Sequence, residues 1–131
     1  MLPNIPSHLP HLPIYRKALE IVILSRSISA YFNYDLCNLL PDGTEDKHIY
    51  FSGDIVQQSI SLAPEIEKAE KEYFTEKKYK HAAAVRQLTN RLYKSCLRLE
   101  HSNSSGKDYL SILRNELKAF RQLQKNWMLN F

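Results

Sequence analysis

Between Pro64 and Gly106 this 131-residue chain carries neither glycine nor proline. A segment of that length without the usual turn formers is hard to cut into hairpins, because tight turns draw on residues that reach positive φ or pre-set it. The remainder is little richer, with only Gly43, Gly53 and Gly106 in the whole chain. Helix formers outnumber the turn residues that a many-stranded fold consumes, so sheet architectures start at a disadvantage. A chain this size fits one domain and buries roughly two-thirds of its unfolded surface in a single core.

Apolar periodicity then places four helices. Pro3, Pro6, Pro10 and Pro13 hold residues 1–12 in extended or polyproline conformation, an expected arm ahead of the folded part. Pro13 suits a first helical turn. From it Ile14, Ala18, Ile21, Ile28, Phe32, Leu36 and Leu39 recur at steps of three and four, predicting a helix over 13–40 that the turn Leu40-Pro-Asp-Gly ends. A second helix over 46–71 is expected to turn Ile49, Val56, Ile60, Ala63 and Ile66 inward, with a kink or short break at Pro64. A third, over 76–101, carries Ala82, Val85, Leu88, Leu92, Cys96 and Leu99. The run Ser102-Asn-Ser-Ser-Gly connects it to a fourth over 106–128, capped by Ser105 and Asp108 and striped by Tyr109, Leu113, Leu117, Phe120, Leu123 and Trp127. Residues 13–131 are thus expected to form an all-α, antiparallel up-and-down four-helix bundle.

The net charge of +4 conceals a division. Residues 1–76 carry 6 Lys/Arg against 11 Asp/Glu, and residues 77–131 carry 12 against 3. Such a split suggests a polyanionic partner for the basic half or pairing of opposite surfaces between subunits. At about 100° per residue, Lys80, Gln87, Arg91, Lys94 and Arg98 fall in one narrow arc away from the apolar stripe of the third helix. In the fourth helix Arg114, Lys118, Arg121 and Lys125 do the same, about 120° from the stripe centre. A line of cations along two helices matches successive phosphates of RNA or DNA. The acidic counterpart is Glu65, Glu67, Glu70, Glu72 and Glu76, either a solvated face or a contact with a neighbouring subunit. Eight tyrosines are many for this length, and some are expected at an interface.

Catalytic and cofactor readings find little to stand on. His8, His11, His48, His81 and His101 form no ligand set, and Glu45 with His48 is a single E-x-x-H where a di-iron bundle needs two. No phosphate loop, nucleophile elbow or HExxH is present. Neither catalysis nor a cofactor or metal is expected. Cys37 and Cys96 stand without a paired motif and are expected to pack as reduced, small apolar residues. The start MLPNIPSHLPHLP lacks the features of a signal peptide, and the longest aliphatic run, Ile21 to Leu24, is far short of a membrane span. A cytoplasmic protein without membrane contact is the expectation.

Two stretches resemble a known family. Ile14-Tyr-Arg-Lys-Ala-Leu-Glu-Ile-Val22 is similar to the opening helix of the bacterial four-helix-bundle proteins, and Pro64, Ile66, Ala69 and Glu70 to their second helix. That family includes proteins encoded in ribosomal RNA intervening sequences and the accessory variability determinant of diversity-generating retroelements. The chain departs from it in lacking the usual Asn-hydrophobic-Ala-Glu-Gly ending of helix 2, carrying a Glu/Lys segment over 65–80 instead. The resemblance implies a pentameric ring with a basic surface that engages a reverse transcriptase and its RNA. The expected function is therefore that of a noncatalytic accessory protein, a homo-oligomer presenting Lys80, Arg91, Lys94, Arg98, Arg114, Lys118, Arg121 and Lys125 to nucleic acid or to a nucleic-acid enzyme. The alternative is an oligomeric protein-interaction scaffold that binds no nucleic acid.

Overall fold

A computed structural model describes residues 8–102 and 104–131. All regular structure among the described residues is helical. Five α-helices follow in order: α1 (Pro13–Asp35), α2 (His48–Ile60), α3 (Leu62–Lys71), α4 (Thr75–Leu99) and α5 (Leu110–Met128), with 3-10 turns at Leu9–His11 and Ser105–Tyr109. Helix α1 packs on α2 and α5, and α4 packs on α2, α3 and α5. No helix among the described residues is long and apolar enough to cross a membrane.

The expected second helix is two helices joined at Ser61. Pro64 explains the joint from three residues downstream. It has no N–H to offer the Ile60 carbonyl, and in an unbroken helix its ring would press on that same carbonyl, so α2 stops at Ile60. Within α3 the proline is the third residue, where a missing N–H leaves nothing unsatisfied.

The inward face of this arm also differs from expectation. Ser52, Ile55, Ser59, Leu62, Ile66 and Ala69 are buried, at alternating steps of three and four, while Val56 is half-buried and Ile60 exposed. Two serines on the core line disguised the stripe. They are accommodated because each hydroxyl is bonded: Ser52 Oγ lies 2.8 Å from Ser29 Oγ of α1, and Ser59 Oγ donates to the Val56 carbonyl at 2.9 Å.

Helix α1 ends at Asp35, short of residue 40. Its last core contact is Leu36, whereas Leu39 is 62% exposed, so a further turn would gain no packing. The Pro-Asp-Gly turn lies where expected, with Gly43 at φ 87° and its N–H donating to the Leu40 carbonyl at 2.8 Å. Before α5, the capping hydroxyl is Ser104 and not Ser105. Ser104 Oγ accepts from the Gly106 N–H at 3.0 Å, and Ser105 Oγ instead meets the Tyr31 hydroxyl at 2.6 Å. Leu110 and Gln124 join the buried side of α5, while Tyr109 is exposed and Leu123 half-buried.

Part of the expected arm belongs to the core. Leu9 is fully buried in its 3-10 turn, and His8 Nε2 lies 2.9 Å from Glu70 of α3. Residues 1–7 of that arm lie outside the described residues. The cysteines differ too: Cys96 is buried, whereas Cys37 is exposed and its thiol donates to the Tyr34 carbonyl at 3.1 Å. Burial, seconded by Glu100, pushes the Cys96 thiol up to about 12, so it stays protonated and inert at neutral pH.

Candidate nucleic-acid interface

Helix α4 places Ala82, Val85, Thr89, Leu92, Cys96 and Leu99 in the core. The opposite side follows from the same 3.6-residue period. Lys80, Gln87, Arg91, Lys94 and Arg98 are all exposed there, and Arg98 leans on α2 with its guanidinium 5.3 Å from the centre of the Phe51 ring. In α5 Lys118 and Lys125 are exposed, while Arg114 and Arg121 are half-buried against α4.

These residues do not act alike. Arg114 Nε lies 2.6 Å from Glu100 Oε1, so this member of the expected set is neutralised within the chain. The contact is ionic, since the buried Nε has no well-directed hydrogen bond. It arises because the basic row of α5 occupies the flank facing α4, where Glu100 closes the last turn. Arg121 is held differently. Its guanidinium stacks over Tyr93 at 4.7 Å and donates to Asn90 Oδ1 at 3.3 Å, which fixes its position and leaves its charge unpaired. Among the described residues, Lys80, Arg91, Lys94, Arg98, Lys118, Arg121 and Lys125 have no carboxylate oxygen within 4.0 Å.

Four of the five clustered glutamates are engaged elsewhere. Glu65 meets Lys68 at 3.2 Å and His81 at 3.1 Å, Glu67 meets Lys71 at 2.8 Å, and Glu70 meets His8 at 2.9 Å. Burial raises the Glu65 pKa, but the His81 and Lys68 hydrogen bonds outweigh it and leave the group below its ordinary value. Glu65, Glu67, Glu70 and Glu72 thus meet partners on α3, on α4 and at His8, while Glu76 pairs with no basic side chain among the described residues.

Helices α4 and α5 also enclose a cleft of about 200 Å³, lined by Arg86, Thr89 and Asn90 from one and Arg121, Gln124 and Lys125 from the other. Each helix contributes residues i, i+3 and i+4, one turn of a single face. Buried Gln124 ties the walls together by donating to the Ala82 carbonyl at 3.1 Å. Arg86 and Asn90 escaped the sequence reading, because at about 100° per residue they lie on the flank turned to α5 and not on the outward ridge. The signal was the matching spacing of Arg86, Thr89, Asn90 and Arg121, Gln124, Lys125, each an arginine followed one turn on by two polar residues. No family model matches this chain, and no curated protein and no solved structure matches it.

Proposed function

We propose that the chain is a noncatalytic accessory protein whose α4–α5 surface binds nucleic acid. One observation carries the reading: seven of its eight expected cations have no carboxylate within reach among the described residues, although the chain holds 14 acidic residues to supply one. Exposed charges on rigid helices meet a phosphate backbone at little reorganisation cost, and their affinity comes from released counterions without regard to base sequence. Each phosphate neutralised steepens the salt dependence by roughly 0.7 to 0.9 in log–log slope.

Measuring RNA and DNA affinity at low and moderate salt tests this. Replacing Arg91, Lys94 and Arg98 together by Glu is expected to weaken binding at least about a hundredfold and to flatten the slope by roughly two to three. No binding by the parent protein, or binding indifferent to the reversal, rejects the proposal.

An up-and-down four-helix bundle assembling into a ring, five subunits on the family resemblance, belongs to the same proposal, as does a reverse transcriptase for partner. Exposed Leu19, Ile23 and Tyr31 on α1, with Ile112 on α5, favour self-association. These exposed apolar side chains also favour the second reading, an oligomeric scaffold for protein partners. Capture of partners with and without nuclease separates the two, since a scaffold keeps its partner after nuclease treatment.

A further inference from the structure

We infer that the cleft between α4 and α5 is a phosphate seat, in which Arg86, Arg121 and Lys125 close around one backbone phosphate of a bound nucleic acid. The inference rests on the nucleic-acid reading above and adds to it a defined point of contact. Three cations line one small cleft, and none of its lining residues is acidic. No carboxylate lies within 4.0 Å of any of the three among the described residues. Like charges gathered on two packed helices repel one another, and an anion between them removes that cost.

The cleft has the features of a seat rather than of a loosely charged surface. Arg121 is positioned before any ligand arrives, by the Tyr93 ring at 4.7 Å and by Asn90 Oδ1 at 3.3 Å. With its carbonyl oxygen occupied by Arg121, Asn90 keeps its amide hydrogens as donors. The Gln124 bond to the Ala82 backbone and the Thr89 bond to the Val85 carbonyl at 2.8 Å fix the floor. Donors without a competing acidic acceptor suit an anion with several oxygens. Guanidinium groups match phosphate in particular, through paired N–H donors in one plane. A phosphate here would lie on the flank of α4, beside the outward ridge of Arg91 and Lys94, so that one strand can meet both.

Inorganic phosphate, followed by amide and arginine side-chain NMR, is the first probe. Saturable shifts confined to residues 86–90 and 121–125 are expected. Arg86→Gln and Lys125→Gln, both at exposed positions that leave the Arg121 stack intact, should each weaken phosphate binding about tenfold. A single-stranded RNA oligonucleotide is then added to the phosphate-loaded protein, where displacement of phosphate is expected.

The outcomes separate the two proposals. Phosphate shifts that are absent, or spread evenly over Lys80, Arg91 and Lys94, overturn the seat. If RNA still binds the parent protein and loses affinity on reversal of the outer ridge, nucleic-acid binding survives that failure. Phosphate that binds in the cleft but is not displaced by bound RNA overturns the backbone source and marks a free-anion site. RNA that does not bind at all overturns the broader reading.

Discussion

Gly106 shows how a single residue is decided by its neighbours. A Cβ built there would lie 2.7 Å from Tyr31 Cδ1 and 3.1 Å from Phe32 Cε2, so the position needs glycine for close approach. Gly106→Ala is expected to destabilise the fold by about 1–3 kcal/mol through overpacking, read as a lower denaturation midpoint at unchanged m-value. Asp46 is decided by its bonds. Its Oδ1 accepts from the His48 N–H at 3.0 Å and from His48 Nδ1 at 2.8 Å, at the start of α2. The backbone hydrogen bond first, and the His48 side chain after it, hold the carboxyl below its ordinary 3.8 against the opposing effect of burial. A depressed folded pKa contributes stability that is present above about pH 3.8 and is lost as pH falls through the folded value. Asp46→Ala should cost about 1 kcal/mol at neutral pH, the usual worth of the hydrogen bonds it gives up to the His48 N–H and ring. Its stability deficit should shrink toward pH 2, and a deficit that is constant with pH contradicts the assignment. The serine pair offers a third expectation. Ser52→Ala should cost about 1 kcal/mol by leaving the Ser29 hydroxyl without its partner, and Ser29→Ala less, because the Ser52 hydroxyl keeps the residue-29 carbonyl at 3.2 Å and Asn33 Oδ1 at 3.3 Å.

At the scale of elements, the joint between α2 and α3 is the most informative feature. The buried line Ser52, Ile55, Ser59, Leu62, Ile66 and Ala69 runs across Ser61 without losing its three-four rhythm, so both helices use one face against the rest of the fold. The break is a local backbone matter that packing tolerates. Pro64→Ala restores the N–H facing the Ile60 carbonyl and is expected to join the helices. The new amide at position 64 should be protected from hydrogen exchange, with stability changed by no more than about 1 kcal/mol, since the gained bond is set against a more flexible unfolded chain. An unprotected amide there would show that the joint has another cause. The sequence marked this proline, yet the point of fracture lies four residues upstream, because the clash is with a carbonyl and not with the neighbouring residue.

For the whole molecule, two surfaces stand apart. One is the basic α4–α5 side; the other is the outer side of α1, where Leu19 is 43% exposed and Ile23, one turn on, 67%. If that side joins subunits, light scattering should give a mass several times the 15.3 kDa of one chain. Leu19→Lys with Ile23→Lys should return it to a single chain while leaving helicity unchanged, since both side chains point outward. A parent protein of monomer mass removes the ring from the proposal.

What the sequence determined by itself was helical content, the approximate extent of α1, α4 and α5, and most of the core, because a 3.6-residue apolar period is a local property that only one kind of element satisfies. It also showed which residues of α4 face outward. The tertiary structure alone decided the rest. Ser52 lies in the core because the Ser29 hydroxyl of α1 meets it there. Arg114 is neutralised because α5 turns its basic row toward Glu100, and Arg86 joins Arg121 because two helix flanks meet. Periodicity measures an angle about one axis. Which charge meets which depends on the distance and rotation between two axes, and those are set by packing.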